Sequence, residues 1–245
     1  MAKSNVWMSV SDLMTGLMVI FLFVAISYMI KVKEAMDKMK ENQNVLTEYV
    51  ETRKNLHDKL VNEFKGDTAR WQMTIGKDLT MKFENPTVLF ASGEAALTPQ
   101  FQCILDEFLP RYFDILLNDS LRNQIREIRI EGHTDDLWTY KKADPYMENM
   151  KLAQKRAISV VEYFRNMPIY QQYTSDERQQ IEYWLTANGL SYGKSLDDSG
   201  QYTQLSHKPI NRDLSRRVEI RIVTSGDDML IDFVEKNEKA NRNGK

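Results

Sequence analysis

Three charged side chains stand at positions where a charge needs a partner or a purpose. Asp12 lies within residues 7–30, a run of 24 residues that contains no Lys, Arg, Glu or His. An ionised carboxylate in lipid costs at least a few kcal/mol, so it must be paired, hydrated, neutral or functional. Further along, Asp135 follows a predicted strand and Arg156 falls among the apolar positions of a predicted helix. These residues are therefore candidates for function, Asp12 within the membrane and the other two in recognition of a charged group.

Residues 7–30 are predicted to form a single membrane-spanning helix. At 1.5 Å per residue they reach about 35 Å, enough to cross a hydrocarbon core of about 30 Å. A cleaved secretory signal is the alternative, but residues 13–30 are too long for its apolar segment and no small-x-small cleavage site follows. We therefore expect residues 1–6 to precede an uncleaved anchor.

Two roles for Asp12 remain open from its position. Ser9 and Ser11 precede it, so Asp12 could cap a helix at the lipid headgroups. On a helix, however, Thr15 and Gly16 share the face of Asp12, and small side chains let a partner helix approach closely. The second role is a functional one beside such a partner helix, which the position of Asp12 alone does not define.

The remaining chain is polar, and the whole chain is nearly neutral, with 33 basic and 35 acidic residues, so nothing in its charge suggests nucleic acid. Residues 31–70 repeat apolar side chains at helical spacing between Lys, Glu, Asn and Gln, which predicts a helical connector. Its narrow apolar stripe suits self-association or docking on a partner, and a solvated helical stalk is the alternative. The single cysteine, Cys103, excludes an internal disulfide. It is either a buried thiol or a bridge between two copies of the chain.

Residues 71–225 are predicted to form one α/β or α+β domain, with a mixed sheet and helices packed on it, followed by a tail at 226–245. Strands are predicted at residues 79–83, 87–90, 125–131 and 217–223, and helices from Thr98-Pro99 and at residues 149–164 and 175–185. In the second helix Arg156 lies beside the apolar stripe, with Asn149 on the same side. Arg156 therefore needs an anion, either Asp135 within the protein or a ligand.

Catalysis and metal binding are not predicted. His133 has no nucleophile or paired carboxylate at a useful spacing, and we interpret it as a turn residue. The three histidines, His57, His133 and His207, form no zinc pair. We expect no enzyme activity, no cofactor and no bound metal.

Four ordered blocks resemble the signature of OmpA-like peptidoglycan-binding domains. The blocks are Gly132-His-Thr-Asp135, Asn149-x-x-Leu152-Ala-x-x-Arg156-Ala157, Asn188-Gly-Leu-Ser-Tyr-Gly193 and Arg212-x-x-Ser215-Arg216-Arg217-Val218-Glu219-Ile220. The resemblance implies that Asp135 and Arg156 hold the diaminopimelate of the wall peptide, with Asn149 and Leu152 as further contacts and Arg217 more weakly.

The chain departs from that family in a few places. Ala153 and Ser215 replace the usual Ser and Asn, and two stretches, residues 137–148 and 194–208, are insertions whose role the sequence does not indicate.

The whole arrangement, an acid-bearing span, a helical connector and a wall-binding domain, resembles MotB-type stator subunits, whose Asp-Leu-Met-Thr segment matches residues 12–15. The N-terminal segment and the insertions look most like the ZorB proteins of Zorya anti-phage defence systems. This resemblance implies two copies within five MotA-like (ZorA-like) subunits, a proton-driven rotary motor, and an inner-membrane protein with a cytoplasmic N-terminus and a periplasmic domain. The alternatives are a flagellar MotB and a wall tether that conducts nothing.

Overall fold

The computed structural model describes residues 3–138 and 144–227, which fall into two compact units, one up to Glu48 and one from Tyr49 onward. The described part of the first unit is entirely helical and belongs to α1 (Lys3–Phe64). Among the described residues, α1 is the one helix long and apolar enough to cross a membrane, and its apolar part lies near the N-terminus. Its large apolar side chains between Val10 and Ile30 are exposed, as a lipid-facing surface would be.

The start of α1 excludes the helix-cap role for Asp12. Because the helix begins at Lys3, Asp12 lies in its interior and is not a helix cap. Thr15 Oγ1 donates to the Ser11 backbone oxygen at 2.8 Å, and a Cβ added at Gly16 would have no neighbour within 4 Å. Thus Thr15 and Gly16 leave the helix surface beside Asp12 low and open.

The second unit contains one five-stranded mixed sheet with helices around it. Its strands are β1 (Met73–Ile75), β2 (Thr80–Phe83), β3 (Ile125–Gly132), β4 (Leu185–Gly189) and β5 (Val218–Thr224). Its longer helices are α4 (Pro99–Leu116), α6 (Pro145–Asn166) and α8 (Ser175–Trp184). The short ones are α2 (Thr68–Trp71), α3 (Pro86–Leu89), α5 (Asp119–Arg122), α7 (Pro168–Gln172), α9 (Thr203–Ser206) and α10 (Arg212–Ser215).

The strand order is β1-β2-β5-β3-β4. All neighbouring pairs are antiparallel except β3 and β4, which are parallel. The last residue of β3, Gly132, is opposite Val218 at the start of β5. This register brings the loop after β3 next to the residues that precede β5.

Helix α6 approaches β3 and β4 closely because glycine lies beneath it on both strands. Gly132 and Gly189 are paired in register, and a Cβ on either would come within 2.2–2.4 Å of the α6 backbone, at the Ala153 oxygen and the Gln154 nitrogen respectively. No side chain fits there. Gln154 also donates to the Ala187 oxygen and accepts from the Gly189 nitrogen, which fixes α6 on the sheet.

The domain core includes the end of α1, which corrects the predicted boundary at residue 71. Leu56, Leu60 and Phe64 are fully buried, and Phe64 stacks near Phe108 of α4 with ring centroids 4.9 Å apart. The predicted connector at 31–70 is helical throughout up to Phe64, but its second half is part of the core. The apolar repeat alone did not distinguish a docked helix from a solvated one.

Most predicted elements are present with shifted ends, and one is wrong. Residues 87–90 were predicted as a strand, but α3 occupies Pro86–Leu89. The Asn85 side chain accepts from the Val88 nitrogen at 3.4 Å, so a helix-initiating Asn-Pro pair prevails over the apolar run. Helix α4 begins as predicted, with Thr98 Oγ1 accepting from the Phe101 nitrogen. Strands β1 and β4 were not predicted.

The insertion at residues 194–208 folds against the sheet end. It contains α9 and an isolated bridge between Leu196 and Tyr202. The Leu196 nitrogen donates to the buried Ser215 hydroxyl, and the Lys194 oxygen accepts from Arg217. The insertion is therefore a cap over the residues that enter β5. Within the other insertion, residues 139–143 lie outside the described part of the chain, as do residues 228–245 of the predicted tail.

Candidate functional site

A cavity of about 540 Å³ opens where the end of β3 meets the start of β5. The loop after β3, the first half of α6, the segment before α4 and the residues before β5 form its walls. The lining residues are Leu89, Phe90, Ser92, Gly93, Glu94, Thr134, Asp135, Leu137, Trp138, Asn149, Leu152, Arg156, Arg216 and Arg217. All five residues predicted for ligand binding thus lie around one cavity, although they come from three separate parts of the sequence.

Asp135 is held by the loop that follows β3. One carboxylate oxygen accepts from the Leu137 backbone nitrogen at 3.0 Å, which forms a tight turn. The other accepts from Arg216 Nη1 at 2.8 Å. The side chain is only 9% exposed, so its negative charge is directed into the cavity rather than into bulk water.

Arg156 is buried on the α6 wall of the cavity. Its Nε donates to the Glu94 backbone oxygen at 2.9 Å, and its guanidinium carbon lies 4.9 Å from the centre of the Phe90 ring. Burial lowers the pKa of Arg156 to about 10, against a smaller opposing effect of Asp135. The group remains charged at neutral pH and is poorly solvated. Among the described residues, none forms an ion pair with Arg156. A carboxylate ligand would therefore supply the anionic partner that Arg156 lacks.

Asn149 and Leu152 lie on the same face of α6 as Arg156, with Asn149 two turns and Leu152 one turn earlier. Asn149 is buried and donates to the Leu137 backbone oxygen at 3.3 Å. Asn149 thereby fixes the loop that carries Asp135, while its position in the cavity wall leaves it near a ligand. Leu152 is partly buried and supplies apolar surface between the charged groups.

The adjacent Arg216 and Arg217 have different partners. Arg216 donates to Asp135 and to Asp213, and its side chain is 32% exposed. Arg217 is fully buried and donates to Glu219 Oε1 at 2.7 Å, to the Ser215 oxygen and to the Lys194 oxygen. Arg217, the predicted contact, lines the cavity but has its donors committed elsewhere. Arg216, which sequence reasoning did not select, is the arginine on Asp135.

Two further wall residues were also missed by sequence reasoning. Trp138 comes from the start of the insertion at 137–148, and Phe90 lies under the Arg156 guanidinium. An aromatic residue two positions after Asp136 is a signal that could have indicated Trp138, since aromatic walls are common in ligand pockets. No sequence signal places Phe90 against Arg156.

The remaining predicted functional residues are not among those that line this cavity. Asp12 is exposed on α1, in the first unit. Cys103 is exposed on α4, so the buried-thiol alternative is wrong. His133, interpreted as a turn residue, does donate its backbone nitrogen to the Arg217 oxygen at 3.0 Å, but its ring is buried beside Glu131 and Glu219.

Comparison with known proteins gives matches over most of the chain. The family model described as the OmpA family matches residues 89–200, which include the Asp135 loop and all of α6. A Zorya protein ZorB from Escherichia coli strain Crooks is 36% identical over 228 residues, covering 90% of this chain and 88% of that protein. A second Zorya protein ZorB, from Escherichia coli O139:H28, is 22% identical and covers 90% of this chain and 81% of its own length.

Among solved structures, a MotB-like protein from Desulfovibrio vulgaris is similar, with a TM-score of 0.48 and 21% identity over 73% of this chain and 98% of that chain. The match to the OmpA family model confirms the predicted OmpA-like α/β fold class.

Proposed function

Because the chain belongs to the ZorB family of Zorya proteins, we propose that it is an inner-membrane, stator-like subunit that anchors a Zorya defence complex to peptidoglycan. In this proposal the first unit crosses the inner membrane and takes part in ion flow, and the second unit binds the cell wall. The single observation that carries the wall-binding part is the cavity in which Asp135 and Arg156 present opposite charges.

The chemistry of the cavity matches one end of diaminopimelate, which carries an ammonium and a carboxylate on one carbon. Asp135 would accept from the ammonium, and Arg156 would bind the carboxylate through two parallel N–H donors. Asn149 and Leu152 would contact the remainder of the peptide. Because Arg216 already holds one oxygen of Asp135, the ammonium has to share that carboxylate with it.

Asp12 is the proposed carrier of the translocated ion, which we take to be a proton. A carboxylate on an exposed helix face can accept a proton, become neutral and face low dielectric, and release the proton on the other side. Thr15 and Gly16 leave room for a partner helix to approach Asp12. One helix per chain cannot enclose a pore, so the proposal requires a MotA-like (ZorA-like) partner, five copies around two of this chain.

The proposed topology follows from the ligand. Peptidoglycan lies outside the inner membrane, so the second unit is periplasmic and the N-terminus cytoplasmic. The basic residues at the ends of the span, Lys3 against Lys31 and Lys33, weakly favour the opposite orientation. The topology can be tested by fusing to the N-terminus a reporter enzyme that works only in the periplasm. We expect no reporter activity, and activity would contradict the proposed orientation.

Sedimentation with purified peptidoglycan tests wall binding. We expect the full chain with Asp135→Asn and Arg156→Gln to remain in the supernatant, whereas wild type sediments with the wall. Matched controls are Asp136→Asn, a neighbouring carboxylate that pairs with Arg212 and does not line the cavity, and Lys155→Gln, an exposed cation next to Arg156. Retained sedimentation of the double variant would show that the wall is bound elsewhere.

Asp12→Asn separates a motor from a passive tether. The amide has nearly the same shape but cannot carry a proton, so we expect loss of phage defence with unchanged membrane insertion and wall binding. Thr15→Ser is a control that keeps a hydroxyl on the same helix face. Full defence in the Asp12→Asn strain would favour the tether.

A further inference from the structure

A buried cluster of one histidine and two glutamates lies at the sheet end, next in sequence to the cavity loop. Glu131 of β3 is paired in register with Glu219 of β5, and His133 follows two residues after Glu131. Their side chains are 5%, 0% and 1% exposed, in that order. His133 Nε2 is 3.9 Å from Glu131 Oε2 and 3.8 Å from Glu219 Oε2.

Several polar atoms in this cluster have no hydrogen-bond partner. Among the described residues, these atoms are both ring nitrogens of His133 and Oε2 of Glu131. A buried polar atom left without a partner is destabilising, so such a group in a folded protein indicates an ion or a water between the side chains. Distances of 3.8–3.9 Å are too long for direct hydrogen bonds. They suit two ligand atoms that each lie about 2.1 Å from a shared ion.

The charges also suit a cation. Glu131 and Glu219 are buried carboxylates at paired positions of adjacent strands. A bound cation would relieve the repulsion between these two carboxylates.

Two arginines face the cluster, and their contacts show how a cation could be accommodated. Arg217 holds Glu219 Oε1 at 2.7 Å, which leaves Oε2 for an ion. Arg221 contacts Glu219 Oε2 at 3.3 Å and Glu131 Oε2 at 3.7 Å, so it competes for the same oxygens. Its side chain is 23% exposed and already reaches Asp78 at 3.3 Å. Arg221 can therefore move fully to Asp78 when a cation enters.

We propose that Glu131, His133 and Glu219 bind one divalent metal ion, for which one imidazole nitrogen and two carboxylate oxygens favour zinc. Arg217 then acts as an outer partner that orients Glu219. The bound ion ties the loop after β3 to β5, immediately before Thr134 and Asp135. This site is separate from the cavity and does not depend on which ligand the cavity takes.

The test measures metal content and thermal stability of the full, untagged chain in detergent. The protein is treated with EDTA, dialysed, incubated with zinc chloride and desalted. We expect about one zinc per chain and a rise in Tm of several degrees relative to the EDTA-treated sample, because a ligand that binds only the folded state stabilises it. His133→Gln and Glu131→Gln should lose both the zinc and the rise in Tm. His57→Gln, at a partly exposed site on α1, should keep both.

A wild-type chain that retains no zinc and shows no rise in Tm would overturn the proposal and assign the cluster to buried water. Zinc that persists in both His133→Gln and Glu131→Gln would overturn it as well, because the metal would then lie elsewhere. If His133→Gln does not fold, the wild-type zinc content and Glu131→Gln give the same decision.

Discussion

Replacing Arg156 by methionine is expected to abolish wall binding with a limited change in stability. Methionine keeps the length and apolar stem of the side chain and removes the guanidinium. The effects on stability and on binding can be worked out separately. Burial of the charged guanidinium is unfavourable for folding, whereas the same charge is favourable for binding an anionic ligand.

The substitution has two opposing effects on the free energy of unfolding, and they largely cancel. Burial lowers the pKa of Arg156 from its ordinary value to about 10, which corresponds to about 3 kcal/mol of unfavourable charge burial. The guanidinium is protonated in both folded and unfolded chains at pH 7, and the unfolded chain binds the proton more tightly. This cost is therefore present in full below about pH 10 and is relieved only as the pH rises above that value.

Against that relief, the methionine variant loses the contacts of the guanidinium. The bond to the Glu94 oxygen at 2.9 Å contributes about 1.5–3 kcal/mol, and the stacking on Phe90 about 0.5–2 kcal/mol. Glu94 is exposed, so water can replace the lost donor. Set against the relief of about 3 kcal/mol, these losses leave the free energy of unfolding within about 2 kcal/mol of wild type, a change in Tm of less than about 8 °C.

The binding effect has no such cancellation. Truncating one partner of a buried, hydrogen-bonded charge pair costs about 2–5 kcal/mol, so affinity should fall by at least about 30-fold. Isothermal titration of the full chain with a diaminopimelate-containing tripeptide measures Kd, and differential scanning fluorimetry measures Tm. Lys155→Met is the matched control, since it removes an exposed cation from the next position of α6. A folded Arg156→Met chain with a Kd within about threefold of wild type would refute the assignment.

Three further outcomes are expected. Gly132→Ala places a Cβ 2.2 Å from the Ala153 oxygen, so thermal unfolding should show a loss of about 2 kcal/mol or more as α6 is displaced; an unchanged Tm would contradict the close approach. Asp67 has a lowered pKa because Arg111 donates to it, so its contribution is present above about pH 4 and is lost as the pH falls further; Asp67→Asn should lower stability at pH 7 by up to about 1 kcal/mol and have less effect at pH 3. If the exposed Cys103 bridges two copies, non-reducing electrophoresis of membranes should show a dimer that Cys103→Ser removes, and a dimer band in the variant would exclude that bridge.

Local signals in the sequence were sufficient for much of the fold. Thr98-Pro99 starts a helix because a hydroxyl caps the first turn and proline fits its first position. The alternation in residues 125–131 predicts a half-buried strand, and β3 covers it. The same local reasoning failed at residues 87–90, where an apolar run is compatible with a strand or a short helix. It also missed β4, whose partly buried residues carry no alternation.

The resemblance to a known domain predicted which residues form the site. Asp135, Asn149, Leu152 and Arg156 were selected through ordered motifs, and all of them line one cavity. The identity of the residue that pairs with Asp135 was not predictable, because Arg216 lies 81 positions away. Successive side chains in and beside a strand point in opposite directions, so only the register of β5 decides which of two adjacent arginines reaches Asp135.

The sequence by itself determined the long apolar helix with its interior acid and the ordered motifs of the wall-binding domain, because periodicity and spacing are properties of the chain. Only the tertiary structure decided that the end of α1 belongs to the core, that Cys103 is exposed, and that Glu131, His133 and Glu219 meet in one buried cluster. These outcomes depend on strand register and on which faces are covered. Contacts between residues far apart along the chain determine both, and no local pattern records them.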